Sequence, residues 1–175
     1  YFPLLLSLLV SGAITTNMQT TVREDFQHQF QASVSIYHAS RLLKLRRGHA
    51  RLVYSKLLEL AGKKLGVSFR RRARLVWGEE MTVVYPEINA LGISRYGFYE
   101  EGLTKMVLAH VEPGMTFLDV GAKVGYFSLL AAWLVGDTGQ VHAFEPTPTT
   151  FEILQLNLGL KPNVRLNRVA VSSQP

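Results

Sequence analysis

The stretch that most constrains this chain of 175 residues is MTFLDVGAKVGYFSLLAAWLVGDTGQVHAFEP, residues 115–146. Its first part, Met115–Val120, is a short and mainly apolar run that stops at Gly121, which is typical of a buried strand of a parallel sheet. Apolar residues at helical spacing predict a helix over Tyr126–Val135, and Gln140–Phe144 is typical of a second short strand. A strand, a helix and a strand in this order predict a β-α-β unit with parallel strands.

Two carboxylates lie at the strand ends of this unit. Asp119 is near the end of the first strand, and Glu145 directly follows the second. Because open α/β sheets bind ligands at the carboxyl ends of their strands, both carboxylates are expected to face one crevice. Gly121 and Gly125 flank the turn, where a missing Cβ lets a ligand approach the backbone closely. A carboxylate in the position of Glu145 can accept hydrogen bonds from two adjacent ribose hydroxyls.

The glycine spacing favours one type of ligand over another. Dinucleotide phosphates are usually held by G-x-G-x-x-G at a helix start, whereas the glycines here are spaced G-x-x-x-G and follow a carboxylate. This pattern suits a ligand that has both a positive charge and a ribose. S-adenosylmethionine, with its ammonium and sulfonium groups, is such a ligand. A turn that serves only packing is the alternative.

Several segments resemble the FkbM family of S-adenosylmethionine-dependent methyltransferases: FLDVGAKVGYFSLLAA, VGDTGQVHAFEPTPTTFEILQLNLGL and NVRLNRVAVS, with GFYEE and EPG upstream. The resemblance covers Met81–Ser173. It implies that a set of residues binds or borders the cofactor: Asp119, Gly121, Lys123 and Gly125 in the loop, Glu145 at the ribose, and Tyr99 and Glu100 near the pocket. The family usually has Asn at the position of Lys123, and Asn tolerates a left-handed backbone better than Lys does.

The same resemblance implies an activity. It is methyl transfer from S-adenosylmethionine to a hydroxyl oxygen of a sugar or secondary metabolite, so the partner is a small-molecule or saccharide acceptor. The sequence identifies no catalytic base and predicts no metal site. An NAD-dependent oxidoreductase is an alternative, which the missing third glycine of the dinucleotide pattern argues against.

Composition divides the chain into two parts. Residues 1–72 comprise an apolar N-terminus and a basic helical segment, and residues 73–175 are predicted to form an incomplete methyltransferase domain of the α/β class. The expected fold is a partial class I, Rossmann-like doubly wound sheet, preceded by the helical segment and a β-hairpin. Because such a domain needs about seven strands by resemblance, the chain is expected to be a fragment that is inactive by itself. The absence of cysteine fits a reducing compartment, so a cytoplasmic location is expected.

The basic charge lies in the first part. Twelve of the nineteen Lys and Arg residues lie between Arg41 and Arg74, where Glu59 is the only acidic residue. A solvated basic helix face is the favoured interpretation, and a non-catalytic module that binds nucleic acid or anionic membrane is the alternative. Peripheral membrane contact is preferred to nucleic acid within that alternative, because the apolar run Tyr1–Ile14 would cooperate with it. That run predicts either a signal or membrane remnant or a buried helix.

The remaining elements are predicted from periodicity and turn residues. Upstream of the β-α-β unit they are helices over Val22–Arg47 and Ala50–Ala61, a hairpin of Ala73–Trp77 and Met81–Tyr85, a loop over Pro86–Gly97, and a helix over Phe98–His110. Downstream they are a helix that starts at Thr147-Pro148 with a capping box of Thr149 and Glu152, and a strand over Val164–Leu166 that resumes at Val169–Val171.

Overall fold

The computed structural model describes residues 23–173, so the interpretation of Tyr1–Ile14 lies outside the described residues. The elements follow in chain order: α1 (residues 23–38), α2 (Arg41–Leu65), β1 (Phe69–Arg74), β2 (Glu80–Tyr85), α3 (Ile88–Tyr96), α4 (Glu101–His110), β3 (Thr116–Val120), α5 (Tyr126–Val135), β4 (Gln140–Phe144), α6 (Pro148–Leu158) and β5 (Val164–Asn167). None of the described helices is both long and apolar enough to cross a membrane.

The predicted α/β fold class is confirmed by the second sheet. Strands β3, β4 and β5 pair in that order and in parallel, with Val120 opposite Phe144 and Phe144 opposite Asn167. Helices α5 and α6 form the connections between these strands. Both α5 and β4 have the bounds that the sequence predicts. The ends of β3 and β4 therefore lie side by side, which brings the two predicted carboxylates to the same edge.

The prediction that β3 is a buried strand is wrong for one of its faces. Leu118 is 62 % exposed and Val120 is 61 % exposed, whereas Phe117 and Asp119 point to the half-buried side. In the described part of the chain β3 is an edge strand and contacts α5 on one face. Only the face of β3 that contacts α5 is covered by other residues of the described chain.

The hairpin is confirmed, but its first strand begins earlier than predicted. Strands β1 and β2 are antiparallel, with Phe69 opposite Tyr85 and Arg74 opposite Glu80. Leu75 and Val76 are buried in the turn between them. The arginines at residues 70–72 consequently lie on an exposed strand and not on a helix face. The boundary predicted between residues 72 and 73 falls inside β1 and stays a prediction.

The first two helices are divided differently from the prediction. The break lies at residues 39–40, and α2 continues through Gly48 and Gly62 to Leu65. A glycine inside a helix costs only about 1 kcal/mol relative to alanine, which the helix tolerates. Gly66 ends the helix because it adopts the left-handed conformation (φ +64°), and its N–H bonds to the carbonyl of Gly62.

Helix α1 packs against the α/β unit. The ring of Phe26 meets Trp77 and Trp133 edge-on at centroid distances of 5.6 and 5.3 Å, and Phe30 meets Phe98 at 5.1 Å. These phenylalanines belong to the same buried cluster as the residues of α5. The N-terminal helix therefore shares its hydrophobic core with the parallel sheet.

Three local predictions are wrong. The predicted loop over Pro86–Gly97 contains α3, whose Ile93 is fully buried; Pro86 precedes the helix and Gly97 ends it, whereas Gly92 lies inside it. Helix α6 begins after Thr147 without a side-chain cap, and Thr149 lies inside the helix, so it does not form a capping box with Glu152, which pairs with Arg70 at 3.2 Å. Within the residues described, β5 ends at Asn167 and does not resume over residues 169–171.

Candidate functional site

The turn between β3 and α5 is held in a left-handed conformation at several positions. Gly121 and Gly125 have φ values of +80° and +90°, and Lys123 between them has φ +50°. The N–H groups of Gly121 and Ala122 both donate to the carbonyl oxygen of Phe144, at 2.9 and 3.0 Å. The turn is thereby anchored to the end of β4. Lys123 occupies the left-handed position that its place in the sequence pattern predicts, although Lys is poorly suited to it.

Glu145 forms a second anchor between the same two strand ends. Its side chain is only 5 % exposed; Oε2 accepts the N–H of Lys123 at 3.1 Å and Oε1 accepts the N–H of Thr147 at 2.9 Å. A carboxylate has about four lone-pair sites, so two backbone donors leave room for further hydrogen bonds. Glu145 therefore stabilises the turn, and its oxygens have lone pairs that the two backbone donors do not use. Its predicted contact with a ribose stays a prediction.

Glycine is present at Gly121 and at Gly125 for different physical reasons. A Cβ on Gly125 would lie 2.7 Å from a methyl carbon of Leu154 and 2.7 Å from one of Leu158, so close packing of α6 requires a glycine there. A Cβ on Gly121 would have no heavy atom within 4 Å. Open space for a ligand to approach the backbone thus lies at Gly121 and not at Gly125.

Asp119 is the second carboxylate of the site. The hydroxyl of Ser128, which is fully buried on α5, donates to Oδ2 of Asp119 at 2.5 Å. Burial raises the pKa of Asp119, and the hydrogen bond from Ser128 opposes this shift. Among the described residues no Lys, Arg or His lies within ion-pair distance of Asp119. A positively charged ligand would therefore stabilise its ionised form.

These residues border a cleft of about 210 Å³ at the carboxyl end of β3. Five of the predicted site residues line it, namely Tyr99, Glu100, Asp119, Gly121 and Lys123, whereas Gly125 and Glu145 do not. The lining also includes residues that the sequence did not predict as site residues: Asn89, Ile93, Leu103, Val120, Ala122, Val124, Tyr126 and Phe127. Asn89 and Ile93 come from α3, which the sequence predicted as a loop, so no periodic signal pointed to them.

A buried hydroxyl pair supports the wall of the cleft. The hydroxyl of Thr104 donates to the carbonyl oxygen of Tyr99 at 2.6 Å and lies 3.3 Å from the hydroxyl of Tyr126. Burial raises the pKa of Tyr126 to about 12, so Tyr126 is protonated at neutral pH and does not serve as a base there. These bonds fix the segment before α4, where Glu100 has φ +46°. The position of Tyr99 is consequently determined by the core.

Comparison with known proteins yields structural neighbours only. No protein-family model matches the chain, and no curated protein matches it, so membership of the FkbM family stays a prediction. A candidate rRNA methylase from Clostridium thermocellum matches with a TM-score of 0.36 and 22 % identity, over 39 % of this chain and 39 % of that one. An S-adenosylmethionine-dependent O-methyltransferase from Thermotoga maritima matches with a TM-score of 0.38 and 20 % identity, over 57 % of this chain and 40 % of that one. The chain thus spans about two fifths of the length of each neighbour.

Proposed function

We propose that this protein binds S-adenosylmethionine at the turn between β3 and α5 and takes part in transfer of its methyl group. The observation that carries the proposal is Asp119, a half-buried carboxylate that has a hydroxyl partner but no described cationic partner and opens into the cleft. A carboxylate in this state favours a cationic ligand. S-adenosylmethionine has two positively charged groups, an ammonium and a sulfonium.

The second support is the arrangement of the two strand ends. Glu145 follows β4 and keeps free acceptor capacity, while Asp119 lies on β3, the neighbouring strand. In the proposed complex the ribose hydroxyls bond to Glu145, and the charged end of the ligand lies over Gly121 toward Asp119. The open space at Gly121 permits this close approach to the backbone.

The chemistry requires little covalent work from the protein. When bound, S-adenosylmethionine would supply an electrophilic methyl group to the acceptor oxygen, with S-adenosylhomocysteine as the leaving group. The acceptor hydroxyl loses its proton to a base, for which no residue of this chain is assigned. The proposed contribution of Asp119, Gly121 and Glu145 is to hold the ligand in line with an acceptor, so that positioning lowers the barrier.

The proposed acceptor is a hydroxyl of a sugar or secondary metabolite, and its support is the sequence resemblance. The alternative of an anionic partner on the basic segment has less support, because several of its cations are already paired. Glu59 binds Lys56 at 2.9 Å and Lys63 at 2.7 Å, and Glu152 binds Arg70. The net charge available to nucleic acid or lipid is therefore smaller than the residue count suggests.

Calorimetry with S-adenosylhomocysteine and NAD tests this proposal. We expect the first ligand to bind and NAD not to bind. Replacing Glu145 with Ala should weaken S-adenosylhomocysteine binding by about 1.5–3 kcal/mol, the scale of hydrogen bonds to a charged group. Because Glu145 also anchors the turn, Glu145→Gln is the second variant: it keeps one acceptor oxygen and should bind with intermediate affinity.

The matched control is Glu152→Ala on the exposed face of α6. It removes a glutamate of the same size and charge from the same region, and affinity should not change. An unchanged dissociation constant in Glu145→Ala would remove Glu145 from the ribose site, and preferential binding of NAD would contradict the proposed function.

A further inference from the structure

Asn89 has an unusual environment for a polar side chain. It is the second residue of α3, is only 9 % exposed and lines the cleft. Its carboxamide has two N–H donors and an acceptor oxygen, yet it forms no hydrogen bond with any residue in the described part of the chain. In the described part of the chain, the fully enclosed side-chain polar atoms that lack a hydrogen-bond partner are Trp77 Nε1 and Tyr85 OH, and no atom of Asn89 is among them. The carboxamide of Asn89 therefore reaches the cleft, which is where its hydrogen bonds are to be made.

The start of α3 at Asn89 offers hydrogen-bond donors to a negatively charged group. Helix α3 has nine residues, and Glu87 at its N-cap makes no side-chain capping bond. The first backbone N–H groups of a helix have no acceptor within the helix, and its N-terminal end has a positive potential. Lys123 adds a positive charge to the cleft lining, which also includes the carboxylates of Asp119 and Glu100. The unused donors of Asn89 and of the first turn of α3 suit a carboxylate at that wall of the cleft, whereas Asp119 suits a cation at the other.

The size of the cleft indicates which part of the ligand enters it. Its volume of about 210 Å³ is below the range of about 300–1,000 Å³ that is common for whole ligands of this size. Glu145, the proposed ribose partner, lies outside its lining and at the end of the neighbouring strand. The cleft therefore accommodates one end of S-adenosylmethionine, the end away from the ribose, which is the amino-acid group.

We infer that Asn89, at the start of α3, binds the carboxylate of the amino-acid end of S-adenosylmethionine while Asp119 binds its ammonium group. This inference rests on the proposed function and adds a specificity residue to it. The two charges of the amino-acid end then meet two different walls of the cleft. Asn89 on α3 faces the anion, and Asp119 on β3 faces the cation.

Two ligands that differ only in this end test the inference. S-adenosylhomocysteine contains the amino-acid group, and 5′-methylthioadenosine has the same adenosine and thioether without it. Asn89→Asp keeps the shape of the side chain but places a negative charge next to the ligand carboxylate. We expect it to weaken S-adenosylhomocysteine binding by about tenfold or more, with the affinity for 5′-methylthioadenosine changed by less than about twofold.

Asn89→Leu is the second variant, because it removes the hydrogen bonds without adding a charge. It should weaken S-adenosylhomocysteine binding less than Asn89→Asp does and should again not change binding of 5′-methylthioadenosine. Thermal melts confirm folding, and an aspartate in the first turn of a helix is favourable there. Equal losses for both ligands, or no loss for either, would overturn the inference while leaving the proposed function in place. A wild-type protein that binds neither ligand would overturn both.

Discussion

Glu59 and Asp119 are both carboxylates with little exposure to solvent, yet their environments act in opposite directions. Glu59 on α2 accepts bonds from Lys56 and Lys63 and lies 4.0 Å from Arg95. These lysines lower the pKa of Glu59 to about 2. Asp119 on β3 has the Ser128 hydroxyl as its only side-chain partner among the described residues, and burial raises its pKa. Glu59 is neutralised by lysines of its own chain, whereas Asp119 has no such pair among the described residues.

This difference separates a structurally paired carboxylate from one that is proposed to bind a ligand. The ionised form of Glu59 already has its positive partners, so it has nothing to gain from a ligand. The ionised form of Asp119 is held at a cost that a cationic ligand would reduce. Perturbed carboxylates in clefts are often functional. Burial raises the pKa of Asp119, and no cationic side chain among the described residues opposes that shift.

The largest effect is expected for Asp119→Asn. Removal of the charge should weaken S-adenosylhomocysteine binding by about 1.5–3 kcal/mol, because the ammonium group loses its ionised partner. The same variant should raise the melting temperature at neutral pH, since an amide can still accept the bond from Ser128 without the cost of a half-buried charge. Calorimetry and thermal melts measure the two quantities. Retained affinity with a lower melting temperature would place Asp119 in the same class as Glu59.

The pH dependence of the stability gain in Asp119→Asn follows from the direction in which the pKa of Asp119 is shifted. The folded protein binds the Asp119 proton more tightly than the unfolded chain does, so wild-type stability decreases as the pH rises through the raised pKa. The advantage of Asp119→Asn should therefore be largest at neutral pH and disappear on acidification below about 3.8, the ordinary pKa of the group. An advantage that grows on acidification would contradict this account.

A smaller effect of opposite sign is expected for Glu59→Gln. It should lower the free energy of unfolding by about 1 kcal/mol, since the lysine partners are largely exposed and such pairs contribute modestly. The contribution should be present above about pH 4.5 and should be lost as the pH falls toward about 2, because the folded state holds the group ionised. Urea titrations at several pH values measure it, and S-adenosylhomocysteine binding is the control that should not change. Loss of ligand binding would show that the two carboxylates are coupled.

The smallest effects are expected when Lys123 or Lys64 is replaced by asparagine. Lys123→Asn should raise the free energy of unfolding by about 0.5 kcal/mol, because Asn tolerates the left-handed backbone at that position better than Lys does. Lys64→Asn, in the last turn of α2, should lower it slightly, since Asn is a poorer helix former and loses a favourable charge there. Urea titrations compare the two variants. Changes of the same sign would show that backbone conformation does not account for the difference.

The β-α-β unit could be predicted from local sequence, since its signals lie within single elements. The apolar runs, the glycines of the turn and the spacing of α5 specify the bounds of α5 and β4 directly. Predictions were poorer where the decisive interactions come from distant residues. Gly48 does not end α2, and α3 forms in a segment framed by Pro86 and Gly97, since packing and hydrogen bonds outweigh such single-residue preferences.

The sequence by itself determined which groups meet at the carboxyl ends of β3 and β4, because parallel strands place these ends together and thereby bring Asp119, Lys123 and Glu145 to one turn. Only the tertiary structure decided what those groups can do. It packed Gly125 against α6 and left Gly121 open, and it brought Asn89 from α3 into the cleft. It also gave Glu59 its cations, while Asp119 has Ser128 as its only side-chain partner within the described residues. The physical reason is that the pKa and the available hydrogen bonds of a side chain depend on burial and on neighbours that are distant in sequence.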